Sequence, residues 1–425
     1  MNDTIFALSS GAPPAAIAVV RISGPLAHSA VAHLCGALPD PRVARLRRLY
    51  AADGTLIDTG LVLWFPGPGS ATGEDLIELH LHGGRAVVAA IEGALRAQGL
   101  RRADPGEFTR RAFANGRIDL AEAEGLADLL EAETELQRRQ AISLASGALS
   151  GWVAGWRERV LAASAAVEAV LDFEDEGDVS QLGPAFADGL GVLADEIAEV
   201  LDCPRAEMLR EGFRVVLAGP PNVGKSSLFN RLVEDEAAIT APTAGTTRDV
   251  LTRSVALAGI PFVFADTAGL RADASDEVEA IGIGRARGEA VRADLVLWLG
   301  PEGEGEGATI WEVESFADID GRCTKAAARH RVSARSGEGI DALRRDLVEA
   351  ARSILPRPGQ IAVNQRQSGL LELAADALRA ASAEGDPLLI AENLRQAREA
   401  FDRLLGNSGT EDMLDALFGR FCIGK

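Results

Sequence analysis

Hydrophobic positions along this chain fall into distinct textures. Up to about Arg117 the apolar residues form strand-length runs, such as Ala16-Ile17-Ala18-Val19-Val20-Arg21-Ile22 and Leu61-Val62-Leu63-Trp64-Phe65, between turns rich in Gly and Pro. This pattern predicts an α/β domain. Glu78, His80 and His82 alternate as on one face of a strand. From Asp119 the period changes: Leu126, Leu129 and Leu130, then Val160, Val167 and Leu171, recur at helix-face spacing in an Ala- and Glu-rich stretch, broken by an acidic cluster at 172–178. Apolar runs return at Val215-Val216-Leu217-Ala218, Ile260 to Ala265 and Leu295 to Leu299, and this region closes at Pro356-Arg357-Pro358-Gly359. Helical spacing then resumes, with Leu394, Ala397, Phe401, Leu404 and Leu405 on one face and Leu414, Leu417, Phe418 and Phe421 on another.

These textures predict a multidomain α/β plus α protein: an N-terminal α/β domain at 1–118, a helical part at 119–210, a nucleotide domain at 211–355 and a second helical part at 356–425. The two helical parts are expected to pack as one discontinuous bundle, with the nucleotide domain inserted in an exposed loop. At 425 residues the chain supports more than one sizeable core. Its net charge of −20 repels nucleic acid overall, so an RNA substrate would need a basic partner or a local patch. Cys35, Cys203, Cys323 and Cys422 lack metal-like spacing and point to a reducing cytoplasm. Met1-Asn2-Asp3 brings no basic n-region, and Pro13-Pro14 breaks the apolar stretch, so neither a signal peptide nor a membrane span is expected.

The strongest chemical signal is Gly219-Pro220-Pro221-Asn222-Val223-Gly224-Lys225-Ser226, a phosphate-loop pattern between a buried strand and the amphipathic run Ser227-Leu228-Phe229-Asn230-Arg231-Leu232. Its backbone N–H groups can curl around phosphate oxygens, Lys225 can reach the β and γ phosphates, and Ser226 can ligate magnesium. The following helix start favours the anion. A plain strand-to-helix turn is the bland reading, and three companions argue against it. Thr246-Thr247-Arg248-Asp249, after the loop-like Ala241-Pro242-Thr243-Ala244-Gly245, reads as switch I, where a threonine completes the magnesium shell. Asp266-Thr267-Ala268-Gly269 ends a strand; Asp266 would bind magnesium through water and Gly269 would offer its N–H to the γ phosphate. Ser333-Ala334-Arg335, after His330-Arg331-Val332, matches the loop that touches guanine O6.

The asparagine-lysine-x-aspartate signature of guanine is absent. Ser315-Phe316-Ala317-Asp318 stands in its place: Asp318 can accept from guanine N1 and N2, and Phe316 can cover the base. Loss of the asparagine should loosen base discrimination by about 0.5–1.5 kcal/mol, the net contribution of one hydrogen bond.

With these residues the chain resembles the tRNA-modification GTPase family MnmE (TrmE) from end to end. The resemblance is carried by Asp3-Thr4-Ile5, Arg21-Ile22-Ser23-Gly24-Pro25, Thr72-Gly73-Glu74-Asp75, His82-Gly83-Gly84, Pro105-Gly106-Glu107-Phe108-Thr109, Asn115-Gly116-Arg117-Ile118-Asp119-Leu120, the switch motifs and Phe421-Cys422-Ile423-Gly424-Lys425. It implies a homodimer whose N-terminal domains pair and bind a tetrahydrofolate derivative, a discontinuous helical domain and an inserted Ras-like GTPase domain. It also implies work with the FAD-dependent MnmG (GidA) protein in a heterotetramer. Together the two would install a carboxymethylaminomethyl or aminomethyl group at C5 of the wobble uridine of certain tRNAs. The one-carbon unit would come from folate, with GTP hydrolysis driving conformational cycling.

Residue by residue, the resemblance implies a folate set of Arg21, Glu78, Arg117 and Lys425. Position 117 departs from the more usual lysine, which keeps the charge and alters its geometry. A metal site at Glu78, His80 and His82 is a competing thought without a further ligand, and Cys422 is a candidate thiol participant. Hydrolysis would be potassium-assisted and activated by G-domain dimerisation. Asn222 and carbonyls of Ala241, Thr243 and Thr246 would hold potassium, Thr247 would join Ser226 on magnesium, and Glu279 would orient water, with Glu277 as fallback. The GTP site as a whole would comprise Asn222, Val223, Gly224, Lys225, Ser226, Ser227, Ala241, Thr243, Gly245, Thr246, Thr247, Asp266, Thr267, Ala268, Gly269, Asp318, Ser333, Ala334 and Arg335. A rival class, the ribosome-assembly GTPases, shares the loop and switch I but would be expected to carry a basic RNA-binding module.

Overall fold

A computed structural model describes residues 3–172, 182–204, 206–234, 251–266, 292–319, 321–322, 324–357, 359–407 and 411–424. The chain divides into two compact units. One comprises Met1–Ala127, Ala145–Ala154 and Phe401–Lys425; the other comprises Asp128–Leu144 and Gly155–Ala400.

The first unit is built on strands β1 (Ile5–Leu8), β2 (Ala15–Ser23), β3 (Arg45–Tyr50), β4 (Leu56–Phe65), β5 (Leu76–Gly83) and β6 (Arg101–Arg102), in the spatial order β3-β4-β5-β2-β1-β6. All neighbours are antiparallel except β1 and β6. Strand alternation decides which side is covered. Val20, Ile22, Val62, Ile77 and Leu79 turn into one core with the helices Ala27–Cys35 and Arg85–Ala97, which contribute Ala30, Val31, Leu34, Ile91 and Leu95. Glu78 and His80, interleaved with those buried positions, are left half-buried on the opposite face.

Helix Glu411–Phe418 returns to this unit. Leu417, Phe418 and Phe421 join Leu120, Ala123 and Ala127 of helix Leu120–Glu131 in a satellite core. Beyond it the chain runs extended: Ile423 bridges Pro105, and the Ser9 hydroxyl donates to Gly424 O at 2.8 Å. Gly424 has φ 97°, and a Cβ there would stand 2.3 Å from Leu8 O, so only glycine permits this approach.

The second unit holds strands β7 (Phe213–Ala218), β8 (Leu251–Leu257), β9 (Ile260–Asp266), β10 (Leu295–Trp298), β11 (Ile310–Ser315) and β12 (His330–Val332), in the order β12-β11-β10-β7-β9-β8. Only β8 is antiparallel to its neighbour. The central runs Val215-Val216-Leu217 and Leu295-Val296-Leu297 are at most 1% exposed, as befits a parallel sheet. Helices from before and after this sheet lie side by side: Pro184–Leu201 packs on Gln365–Ala383, and Ser382 Oγ donates to Ala187 O at 2.8 Å.

Candidate functional site

The phosphate-loop segment lies where β7 ends and helix Lys225–Glu234 begins, at the carboxyl edge of the parallel strands, where α/β sheets place their ligands. The turn demands unusual backbone. Gly219 and Gly224 have φ of 142° and 91°, and Asn222 adopts a left-handed φ of 62°. A Cβ on Gly219 would lie 2.9 Å from Gly300 N, so the loop packs too closely for a side chain. Lys225 is 6% exposed, and its Nζ donates to Gly219 O at 2.8 Å and Pro220 O at 2.7 Å, holding the ammonium across the loop. Ser226 Oγ donates to Asp266 Oδ2 at 2.8 Å, so a hydroxyl and a carboxylate at the end of β9 converge; such hard oxygens suit magnesium. Asn222, Ser226 and Ser227 are exposed, and Val223 is half-buried.

At the base end, Ser315 Oγ donates to Val223 O at 2.5 Å and Ala317 N donates to Val332 O at 3.1 Å, which brings the Ser315-Phe316-Ala317-Asp318 segment against both the phosphate loop and the Ser333 loop. Ser333 is 1% exposed; its N–H donates to Glu338 O and its Oγ accepts from Ser336 N, so it shapes its own loop. Ala334 is half-buried, while Asp318 and Arg335 are exposed. Sequence reasoning missed Lys325, which is buried and donates to Trp298 O at 2.7 Å and Glu312 Oε2 at 2.6 Å. Burial pushes the Glu312 carboxyl up, but the Lys325 hydrogen bond and charge, with the Gly303 N–H, outweigh it and leave it below its usual range. The carboxylates alternating along β11 were the only sequence sign of this clamp.

In the other unit, Arg21 on β2 faces Glu78 on β5 in direct register. Arg21 Nη2 and Nε donate to Glu78 Oε1 at 2.8 and 3.1 Å, and the guanidinium lies 5.9 Å from the Phe108 ring centroid. Burial raises the Glu78 carboxyl, but Arg21, helped by His80, more than offsets this and holds it below its usual range. His80 Nε2 lies 3.3 Å from Glu78 Oε2, whereas the His82 ring turns to Asp58 at 2.8 Å, so these alternating residues face separate carboxylates. Arg117 is exposed, with its Cγ beside Gly73. Cys422, the candidate thiol, is exposed on the segment that pairs with Pro105.

Residues 4–117 match the GTP-binding protein TrmE N-terminus, and residues 120–422 match the MnmE helical domain. The tRNA modification GTPase MnmE of Erythrobacter litoralis is 62% identical over 424 residues, covering 100% of both chains. The same-named protein of Novosphingobium aromaticivorans is 61% identical with full coverage of both, and that of Zymomonas mobilis subsp. mobilis is 48% identical over 99% of this chain and 100% of its own. The chain belongs to the MnmE family. This membership sets aside the ribosome-assembly reading.

Several of the MnmE-type motif residues do structural work. Arg111, 1% exposed, donates from Nη2 to Asp3 Oδ1 at 2.8 Å and Glu107 Oε1 at 3.0 Å, and from Nη1 to Glu74 Oε2 at 3.0 Å. Glu74 also accepts from Ser23 Oγ at 2.9 Å, and Ser23 Oγ lies 2.7 Å from Thr72 Oγ1. Thus Asp3, Ser23, Thr72, Glu74 and Glu107, spread over four motifs, meet around one arginine that the sequence reading had not singled out.

Ala241, Thr243, Gly245, Thr246, Thr247, Thr267, Ala268, Gly269, Glu277, Glu279, Cys323 and Lys425 lie outside the described residues. Among the described residues no helix is long and apolar enough to cross a membrane.

Proposed function

We propose that this chain binds and hydrolyses GTP at the Gly219–Ser226 loop and couples that cycle to modification of C5 of the wobble uridine in tRNA. It would act as a cytoplasmic homodimer in a heterotetramer with the FAD-dependent MnmG protein. The observation that carries the nucleotide half is the convergence of Lys225 Nζ, Ser226 Oγ and Asp266 Oδ2 at the end of two adjacent parallel strands. In this reading Lys225 grips the β and γ phosphates, and Ser226 and Thr247 ligate magnesium. Asp266 acts on magnesium through water, Glu279 orients the attacking water, and Asp318 with the Ser333–Arg335 loop faces the base. The helices flanking the nucleotide domain form one bundle in this reading, which the packing of Pro184–Leu201 on Gln365–Ala383 supports. Mass spectrometry of wobble uridines decides the matter. A strain lacking the chain should lose the carboxymethylaminomethyl and aminomethyl groups, wild type should restore them and Lys225→Ala should not; fully modified tRNA in the deletion strain would overturn the reading.

Potassium would take the place of an arginine finger, with Asn222 as its side-chain ligand. Asn222 is exposed in the phosphate loop with a left-handed backbone, which supports that role. GTP turnover is therefore expected to be at least tenfold faster in potassium than in sodium, and Asn222→Ala should erase the difference. Equal rates in the two salts would remove potassium from the mechanism.

On the N-terminal sheet, the Glu78 carboxylate, held ionised by Arg21, suits the donor edge of a pterin. Arg21, Arg117 and Lys425 suit the glutamyl tail, with charge-assisted bonds contributing about 1.5–3 kcal/mol each. The Ser9 bond to Gly424 holds the described end of the chain just beyond β1, the strand that pairs with β2. Calorimetric titration of a reduced folate should show binding to wild type, about ten- to hundredfold weaker binding to Arg21→Ala and Glu78→Ala, and weakening in a chain ending at Gly424. No binding by wild type would remove the folate role.

A further inference from the structure

We propose that Arg322 reads the O6 and N7 edge of guanine, taking over the contact that the missing asparagine would have made, with the Phe316 ring as its mount. This inference rests on the reading of the Gly219–Ser226 loop as a GTP site.

The substitution of serine at the asparagine position keeps half of a dual role. Ser315 gives its hydroxyl to Val223 O at 2.5 Å, which ties β11 to the phosphate loop. A serine has one O–H donor and has spent it there, whereas an asparagine amide has two N–H donors. The tether survives and that donor to the base is lost, so guanine N7 goes unread unless some other group supplies a donor.

The next residue shows where that group comes from. Phe316 adopts a left-handed φ of 62°, which bulky residues rarely tolerate and which persists where surrounding structure imposes it. Its ring reaches back to the phosphate loop, where a Cβ on Gly224 would stand 3.2 Å from Phe316 Cζ. Two successive turns, Ile319 N to Phe316 O at 3.0 Å and Arg322 N to Ile319 O at 3.3 Å, then fold the chain back, and the Arg322 guanidinium comes to lie 4.0 Å from the Phe316 ring centroid. Lys325 N donates to Glu314 Oε1 at 3.1 Å and Lys325 Nζ to Glu312, so Lys325 is anchored on β11. Arg322 is exposed, and among the described residues no carboxylate pairs with it.

The chemistry is complementary. Guanine O6 and N7 are both acceptors, and a planar guanidinium meets them with two parallel N–H donors, the commonest specific protein contact to guanine. Asp318, in the same loop, accepts from N1 and N2. Adenine presents an N6 donor where the arginine needs an acceptor, so the pair would select guanine without the usual signature.

Binding of GDP, 7-deaza-GDP and ADP to the full chain, measured by calorimetry for wild type, Arg322→Ala and Arg322→Lys, tests this. Removing N7 costs one charge-assisted hydrogen bond, so wild type should favour GDP over 7-deaza-GDP by about ten- to hundredfold. Arg322→Ala should bind both equally, and Arg322→Lys should recover part of the preference. A wild type indifferent to N7, or an Arg322→Ala chain that weakens both nucleotides alike and keeps their ratio, would overturn the proposal while leaving the GTP site standing. Absence of any guanine nucleotide binding by wild type would overturn the GTP reading and this inference with it.

Discussion

Lys225→Ala is expected to abolish GTP binding and hydrolysis together. The ammonium already sits across the loop on Gly219 O and Pro220 O, so little reorganisation separates it from a phosphate. Two charge-assisted bonds to phosphate oxygens contribute about 3–6 kcal/mol, which corresponds to a loss of roughly hundred- to ten-thousandfold in affinity. Equilibrium dialysis with labelled GTP measures it directly. Affinity within tenfold of wild type would mean that Lys225 does not grip phosphate. The variant should keep its fold, because the carbonyls that hold the lysine lie in the phosphate loop at the edge of the sheet.

The opposite holds for Arg111→Ala, which should leave nucleotide binding intact and destabilise the N-terminal unit by about 3–5 kcal/mol, since it strips a buried charge from its partners. Urea denaturation followed by a probe in that unit reads this, and a loss below about 1 kcal/mol would show that Asp3, Glu74 and Glu107 find water or other partners instead. The same cluster sets a pH dependence. The Asp3 carboxyl is held below its usual range by the Arg101 hydrogen bond, with Arg111 adding to it, and Glu107 is held low because Arg101, the Asp104 N–H and Arg111 outweigh its burial. Groups whose folded pKa is depressed contribute stability that is complete above the unfolded value, near 4, and lost as pH falls through the lower folded value. Wild type should therefore lose stability on acidification below about pH 4.5, and Arg111→Ala should lose less over the same window.

How far the sequence reached is clearest from particular residues. The strand-to-helix transition at Ala218 to Lys225 was legible because a phosphate loop is local: its glycines, lysine and serine are consecutive, and period-2 and helix-face spacing announce the elements on either side. Alternation likewise exposed the outward row of Glu78 and His80 on β5. The pairing of Arg21 with Glu78 was expected only as joint membership of a ligand set, and their direct register across β2 and β5 had to come from the sheet order. Arg111 was passed over, since one arginine in a helix carries no sign that Asp3, Glu74 and Glu107 will surround it.

At the base end the difference is sharper. The sequence by itself determined that the asparagine and lysine are absent and that Asp318 remains, which argued for loosened discrimination. Only the tertiary structure decided that Ser315 still ties β11 to the phosphate loop, that Lys325 is buried on Glu312, and that two turns return Arg322 to the Phe316 ring. The physical reason is range. Periodicity and motif spacing report interactions made within a few residues along the chain, whereas a side chain's charge partner is chosen by strand order and loop closure, which bring together residues that no local pattern relates.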